Sequence, residues 1–369
     1  MTNATRTTVK SIEAVITTTE LRQEFKISKG TDSKTREHVI VRITDDQGFH
    51  GYGEASPLQF FTGETADITK TAIDRYLAPL TLGQSPHSID EHHRRWTKHY
   101  PGYRAAKCAL DIALHDLVAR KANLRISDLF GGTSSISLPI YKAIGFGTPE
   151  ETLEEAEYLW SLGLRSFKLK VGDTLVRDIA NLKALRERFQ DDIEIILDGN
   201  GGYTAQQAVR LLREAWQYNV SYIEQPVPGE DIAGMAFVRA HGGVPIMADE
   251  SIFTLRNAFD LIQAGAVDLF GIKLIKTAGF TTARQISTLA HEFGVKCVVI
   301  SPFDTSIGIA ANVSLASTFP SPPESQGLGT FFADVDVNDN PFEVEDGHLL
   351  LPHGYGLGVE VDSAIFDEA

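Results

Sequence analysis

Five short apolar runs decide the fold of this chain, and each ends in charged residues. They are SFKLKVG (166–172), IEIILDGN (193–200), VSYIEQP (220–226), PIMADES (245–251) and LFGIKLIK (269–276). From Lys170 to Lys273 the charged ends recur every 24 to 28 residues, and a helix-like segment follows each run. Strands that alternate with helices at this spacing predict a parallel sheet buried on both faces. Charges at the carboxyl ends of such strands converge on one mouth, where barrels of this class carry their chemistry.

Further strands extend this alternating region on both sides. LPIYKAI (138–144) precedes it, VKCVVISP (295–302) follows it, and GLGTFFADVD (327–336) provides a weaker eighth strand. The pattern predicts helices near 175–189, 204–218, 231–241, 254–264, 280–293 and 307–318. Eight strands with helices between them predict a modified TIM barrel of the (β/α)7β type.

The first third of the chain has a different pattern, with strands first and helices afterwards. Strands are predicted at 12–18, 38–44 and 49–57, and helices at 64–79, 89–99 and 102–122. We therefore expect an α+β capping domain at 1–132, the barrel domain at 133–336, and a tail at 337–369 that packs back on the capping domain. The predicted fold class is α/β, with the cap built from both ends of the chain.

The bulk properties exclude several classes of partner. The chain has 369 residues, 43% of them hydrophobic and 22% charged, which is ordinary for a globular protein. A formal charge of −15 disfavours nucleic acid and anionic membranes. The two cysteines, Cys108 and Cys297, are expected to be reduced. Because no apolar run is typical of a signal peptide or a membrane span, we expect a cytoplasmic protein.

Three carboxylates end consecutive predicted strands, and they are Asp198, Glu224 and Asp249. Oxygen ligands from three neighbouring strands suit Mg²⁺ or Mn²⁺ and leave positions for water and substrate. Zinc is disfavoured because no histidine or cysteine stands at an equivalent place. The alternative is that these acids cap helices or pair with the lysines.

Lysines end the strands on either side of the acids. Lys168 and Lys170 alternate with apolar residues, so both face the barrel interior, where two ammonium groups are costly unless carboxylates compensate. Mutual repulsion is expected to lower a lysine pKa from about 10.4 toward the 7–8 that suits a base. Lys273 faces the mouth from across the barrel, and Lys276 is expected in solvent one turn further out. The alternative is that the lysines only bridge acids in the barrel core.

Two amines on opposite sides of a metal-bound substrate suit one kind of reaction. Lys170 or Lys273 can remove a proton α to a carboxylate, and the other amine can return it on the opposite face. The metal stabilises the charge of the resulting enediolate by several kcal/mol.

The motif set resembles the enolase superfamily, in its muconate-lactonizing subgroup. The matching motifs are KLK (168–170), LDGN (197–200), IEQP (223–226), ADES (248–251), IKLIKTAG (272–279), GYGEASP (51–57) and TGET (62–65). The superfamily uses a lysine or histidine base together with Mg²⁺. The resemblance implies that the three acids bind Mg²⁺, that Lys170 and Lys273 are the acid/base pair, and that Lys168 assists them.

Asp334-Val335-Asp336 is similar to the DxD motif with which dipeptide epimerases of the subgroup hold the substrate's α-ammonium group. The resemblance therefore implies a Mg²⁺-dependent dipeptide epimerase that inverts the α-carbon of the C-terminal residue of an L-Ala-Xaa dipeptide. The alternative is that ADVDVNDN is a solvated loop. The expected partners are a small dipeptide substrate and further copies of the chain in a homo-oligomer.

Two stretches depart from the pattern of the Ala-Glu epimerases. The Ala-Glu epimerases resemble one another in having an arginine in an early loop, for the side-chain carboxylate of the substrate. The corresponding stretch of this chain has Lys26 and Lys29, and lysine lacks the bidentate fork of arginine. SPFDTSIG (301–308) places Asp304 where Glu is common, and Phe303 can line an apolar pocket. We expect substrate contacts from these residues.

Rival hypotheses stay open on the same scaffold. They are a muconate-type cycloisomerase, an N-acylamino acid racemase and an o-succinylbenzoate synthase. A hypothesis from a different class is a non-catalytic, metal-stabilised binding barrel.

Overall fold

The computed structural model describes residues 7–20, 35–301, 303–320, 324–329 and 342–367. Within them, the first part of the chain forms an antiparallel sheet in the order β1-β2-β3. Its strands are β1 (Val9–Glu20), β2 (Thr35–Asp45) and β3 (His50–Ala55). Gly48 has a φ of 88° in the turn between β2 and β3, a backbone conformation that favours glycine. This turn separates the two strands that were predicted at 38–44 and 49–57.

Helices then cover this sheet. They are α1 (Gln59–Thr62), α2 (Ala66–Ala72), α3 (Ala78–Thr81), α4 (Ile89–His99), α5 (Arg104–Ala122) and α6 (Ile126–Leu129), with a π-helical turn (Ile73–Leu77) between α2 and α3. Helix α5 lies directly on β3. A Cβ atom added at Gly53 would stand 2.0 Å from the carbonyl oxygen of Ala109. The glycines of the GYGEASP motif thus permit the close packing of strand and helix.

The barrel strands form one parallel sheet in the order β5 to β11. After β4 (Ser137–Pro139), they are β5 (Tyr141–Ile144), β6 (Ser166–Lys170), β7 (Glu194–Asp198), β8 (Val220–Glu224), β9 (Ile246–Ala248), β10 (Leu269–Ile272) and β11 (Lys296–Val299). Lys170 lies opposite Asp198, and Asp198 lies opposite Glu224. The charged strand ends are therefore level at one mouth.

Outer helices follow the strands, six of them near the predicted positions. They are α7 (Pro149–Ser161), α8 (Leu175–Phe189), α9 (Ala205–Ala215), α10 (Ile232–Gly242), α11 (Leu255–Gln263), α12 (Leu274–Thr277), α13 (Phe280–Glu292) and α14 (Ser306–Ala316). A threonine side chain accepts a backbone hydrogen bond at the start of α7, α8, α9, α11 and α14. Such caps satisfy amide groups that the helix itself leaves unpaired, so they fix where each helix begins.

Residues 326–327 link the two ends of the parallel sheet. Gln326 pairs in parallel with Ile140, and Gly327 pairs in parallel with Ile300. The predicted eighth strand thus begins where a closing strand is needed, and its part at 330–336 lies outside the described residues.

The tail forms a hairpin of β12 (Val344–Glu345) and β13 (His348–Leu350), and β13 pairs with β4. The prediction of one strand over 138–144 is therefore wrong in one respect, since the stretch splits between two sheets at Ile140. Leu357 N donates to Asp116 Oδ1 at 2.7 Å, and Phe366 lies beside Tyr52 at 6.2 Å between ring centres. These contacts hold the tail on the N-terminal region.

The predicted α/β barrel with an α+β cap is confirmed. Cys108 and Cys297 are both free thiols, as predicted. In the described part of the chain, no helix combines the length and the apolar character that crossing a membrane requires.

Candidate active site

The predicted acids stand at the carboxyl ends of three adjacent strands. Asp198 ends β7, Glu224 ends β8 and Asp249 follows β9, and each is at most 1% exposed. Burying one carboxylate without a partner is costly, and burying three side by side adds mutual repulsion. The barrel therefore needs cations at this position.

Lysines from the flanking strands provide those cations. Lys168 Nζ lies 2.8 Å from Glu224 Oε2 and 3.1 Å from Asp198 Oδ2. Lys170 Nζ lies 2.6 Å from Asp198 Oδ2. On the other flank, Lys273 Nζ contacts Asp249 Oδ2. The structure thus brings together all six residues that the sequence analysis assigned to the metal and to proton transfer.

Lys276 corrects one expectation. The sequence placed it in solvent, whereas the structure buries it completely. Its Nζ contacts both the Oδ1 atom and the backbone oxygen of Asp249. The reason is that α12 is a single turn, so the side chain folds back under the mouth and Asp249 receives a second ammonium group.

The acids differ in how well they are compensated. Burial raises the pKa of Glu224 to about 7, and the negative charge of Asp198 adds to this rise. Burial acts in the same direction on Asp198, but Lys170 and Lys168 outweigh it and hold that pKa at about 2. Glu224 is therefore the acid whose charge the lysines stabilise least.

The lysines do not all behave as expected. Burial lowers the pKa of Lys168, but Glu224, Tyr141 and Asp198 together outweigh burial and leave that pKa raised. Asp249, Glu224 and Glu250 together do the same for Lys273. Burial lowers the pKa of Lys276. The expected lowering by a neighbouring lysine is thus wrong for Lys168, because oxygens of Glu224 and Asp198 lie within 3.1 Å of its Nζ atom.

The acids fit a hard divalent cation in donor type and placement. Within the described ranges, no group of three or more His, Cys, Asp or Glu side chains has a ready-made metal-binding arrangement, and lysines hold oxygens of all three acids. However, Glu224 Oε1 is buried and accepts no hydrogen bond from a described residue. A buried carboxylate oxygen with an open lone pair, between two other carboxylates, is what Mg²⁺ or Mn²⁺ requires.

A second layer of polar residues braces the site, and the sequence analysis did not single it out. Gln225 Oε1 accepts from Asp249 N at 3.0 Å and from Ser251 N at 3.2 Å. Asn200 Oδ1 accepts from Lys170 Nζ at 2.7 Å, and its Nδ2 donates to Glu250 Oε1 at 3.3 Å. Both residues belong to the quoted motifs, LDGN and IEQP, so their position one or two residues after a charged strand end was the available signal.

The N-terminal region reaches the mouth through Phe61 of α1. Its ring centre lies 4.1 Å from Lys273 Nζ, within the range of a cation–π contact. Phe61 could not be identified from the sequence, because only the fold brings α1 close to Lys273.

The remaining predicted contacts lie further out. Asp304 Oδ2 accepts from Asn312 Nδ2 at 2.8 Å, and Phe303 packs under Arg36 with 5.2 Å between the guanidinium carbon and the ring centre. Both follow β11 at the mouth, and their contact with substrate stays a prediction. The other substrate-binding candidates, Asp334, Asp336, Lys26 and Lys29, lie outside the described residues.

A barrel mouth in which lysines flank a row of three carboxylates is the site of a barrel enzyme that can carry out acid–base chemistry. Residues 11–131 match the N-terminal domain model of the mandelate racemase / muconate lactonizing enzyme family, and residues 151–365 match the enolase C-terminal domain-like model. The chain belongs to this family of the enolase superfamily, and it is an isomerase.

Relatives within the family carry out different reactions. The L-Ala-D/L-Glu epimerase of Bacillus subtilis is 33% identical over 88% of this chain and 89% of its own. The crystal structure of N-succinyl Arg/Lys racemase from Bacillus cereus superposes with a TM-score of 0.93 at 29% identity, over 98% of this chain and 97% of that one. The crystal structure of a dipeptide epimerase from Enterococcus faecalis, in complex with Mg and L-Leu-L-Tyr, superposes with a TM-score of 0.88 at 31% identity. The match covers 95% of this chain and 99% of that one. Chloromuconate cycloisomerases match at similar identity.

Proposed function

We propose that this chain is a Mg²⁺-dependent dipeptide epimerase that inverts the α-carbon of the C-terminal residue of an L-Ala-Xaa dipeptide. The observation that carries the proposal is the order of side chains across the mouth. Lys170 on β6 and Lys273 after β10 stand on opposite flanks of the row Asp198, Glu224 and Asp249.

Each amine is placed for one half of the reaction. An α-carbon held over the acids has one lysine on each face, so one removes the proton and the other delivers a proton to the opposite face. Asn200 holds Lys170, and Phe61 packs on Lys273, so both ammonium groups are fixed in direction. Asp198, Glu224 and Asp249 would hold Mg²⁺, which would supply positive charge to stabilise the developing negative charge of the substrate carboxylate.

The proposal assigns Asp334 and Asp336 to the α-ammonium group of the dipeptide. A cationic amine in a pocket requires carboxylates, and two acids spaced by one residue present both to the same side of an extended strand. The presence of dipeptide epimerases among the relatives supports this substrate class.

The decisive experiment incubates the protein with a dipeptide library in deuterated water, with Mg²⁺ or with a chelator, and follows mass and stereochemistry. We expect Mg²⁺-dependent deuterium incorporation and inversion for certain L-Ala-Xaa dipeptides. Lys170→Ala and Lys273→Ala should each abolish inversion, because each removes one of the two proton carriers. Lys183→Ala, at an exposed site on α8, is the control.

The rival reactions give different results in the same experiment. Lactone formation from muconate without α-proton exchange in dipeptides would identify a cycloisomerase, and exchange limited to N-acylamino acids would identify a racemase. Unchanged behaviour of both lysine variants would identify a non-catalytic barrel.

A further inference from the structure

Arg36 lies near the start of β2, and its side chain reaches the loop that follows β11. His38, two residues further along β2, contacts Glu54 Oε1 at 2.9 Å. Glu54 in turn accepts from Thr305 N at 2.9 Å and from Gly308 N at 2.7 Å, at the start of α14. Residues i and i+2 of a strand share one face. Arg36 therefore faces the same loop after β11, and its guanidinium group lies over the ring of Phe303 in that loop.

The guanidinium group of Arg36 has no anionic partner among the described residues. Its Nε atom is buried without a hydrogen-bond partner, and its Nη1 atom reaches only the backbone oxygen of Thr35, at 3.4 Å. Arg42, on the same strand, shows the usual arrangement, in which two nitrogens donate to Glu13 at 2.9 Å each. An arginine stays charged in a protein, so burial without an anion is unfavourable unless a ligand supplies one.

Phe303 fixes the direction of this unpaired group. Its φ is 75°, a backbone conformation that a bulky residue rarely adopts and that is common at binding sites. A planar guanidinium group stacked on a ring keeps its edge available for a carboxylate. The site thus presents a preoriented fork at the loop after β11, on the same side of the barrel as the ends of the strands that carry the lysines.

We infer that Arg36 binds a second carboxylate of the substrate, remote from the carbon that exchanges its proton. The inference rests on the proposed function, because it assigns the specificity of the same site. The second carboxylate belongs either to the side chain of an acidic residue in a dipeptide or to a dicarboxylic N-acyl group. Arg36 would then form with it the charge-assisted bidentate pair that the described residues do not provide.

The test uses substrate pairs that differ only in this group. One pair is L-Ala-L-Glu and L-Ala-L-Gln, and the other is N-succinyl-L-leucine and its succinamoyl analogue. For one pair, we expect wild-type kcat/KM to favour the acid by about tenfold or more. Arg36→Met, which keeps an apolar stem on Phe303, should bring the acid-to-amide ratio close to one, and Arg36→Lys should restore part of it because lysine retains the charge. The pair that shows the effect identifies the source of the carboxylate.

Arg210→Met is the matched control, since this arginine is exposed on the outer helix α9. It should keep the wild-type ratio. A wild type that does not prefer the acid in either pair, or an Arg36→Met variant that keeps the preference, would overturn the inference.

Binding measured by calorimetry with Mg²⁺ separates this inference from the proposed function. If no substrate exchanges its proton but the acids still bind more tightly than the amides, and only when Arg36 is present, the epimerase proposal fails and the role of Arg36 stands. If dipeptides are inverted and Arg36→Met leaves the acid-to-amide ratio unchanged, the role of Arg36 fails and the epimerase proposal stands.

Discussion

The burial of Lys276 depends on a backbone reversal after β10. Ala278 has a φ of 60° and Gly279 a φ of 101°, so the chain turns sharply after the single turn of α12. The expectation of solvent exposure placed Lys276 one turn beyond Lys273 and therefore further from the mouth. Its partner, Asp249, is distant in the sequence, so local pattern alone could not reveal the pair.

At the residue scale, replacing Lys276 by Met should destabilise the protein without a large loss of packing volume. Asp249 would keep Lys273 but lose its other buried ammonium group, which is expected to cost about 3 kcal/mol of unfolding free energy. Urea unfolding monitored by circular dichroism measures this change. Lys183→Met, exposed on α8, should change the free energy by less than about 0.5 kcal/mol. A similar value for both variants would contradict the assignment.

The elements were predictable to different degrees. Helices α4 and α8 have the predicted bounds, because the spacing of their apolar residues defines them locally and Thr174 also caps α8. The hairpin β12–β13 was missed, although Asp346-Gly347 between its strands is the sequence signal of a tight turn, and both residues have positive φ. The split of 138–144 could not be predicted, because it depends on pairing between β4 and this distant hairpin.

The contact between the N-terminal sheet and α14 contains two acids close together. Burial raises the pKa of Asp304 to about 7, and the charge of Glu54 contributes to the rise. Glu54 is compensated by His38 and by the backbone amides of Thr305 and Gly308. Asp304 is therefore the group in this contact that takes up a proton most readily.

At the element scale, this contact should make stability depend on pH. In the folded protein Asp304 binds a proton up to about pH 7, whereas in the unfolded chain it loses the proton near its ordinary value, 3.8. The folded state thus holds the extra proton between these values, and the stability from this group is lost as the pH rises through about 7.

Asp304→Asn should remove this contribution. Between about pH 5 and about pH 8, we expect the Tm of the wild type to fall by about 2 °C more than that of the variant. Differential scanning calorimetry measures the difference. Asp191→Asn, at an exposed site, should follow the wild type. Parallel pH profiles for Asp304→Asn and the wild type would show that Asp304 does not carry the proton.

At the scale of the whole molecule, the sequence predicted the arrangement of the site better than its electrostatics. The level strand ends follow from a regular βα repeat, so the position of Glu224 between Asp198 and Asp249 was predictable. The raised pKa of Lys273 was not predictable, because it depends on how closely the Lys273 amine approaches the Asp249 carboxylate at the end of the neighbouring strand. The residues that cover the mouth, such as Phe61 and Arg36, come from another region and could not be predicted from the repeat.

Mg²⁺ should stabilise the folded chain as a whole. A cation that binds only the folded state at about 100 times its Kd contributes about 2.7 kcal/mol, which raises the Tm by several degrees. Thermal unfolding with Mg²⁺ and with a chelator, at matched ionic strength, measures the shift. The double variant Asp198→Asn, Asp249→Asn should show no shift. A shift that persists in the variant would place the cation elsewhere.

The pairing of β4 with β13 also determines when the molecule can be completed. The strand that precedes the barrel obtains its partner from the end of the chain, and Asp116 on α5 obtains a backbone donor from Leu357. During synthesis these partners leave the ribosome after the barrel strands. The pairing of β4 and the hydrogen bond to Asp116 therefore cannot form until residues 348–357 have emerged.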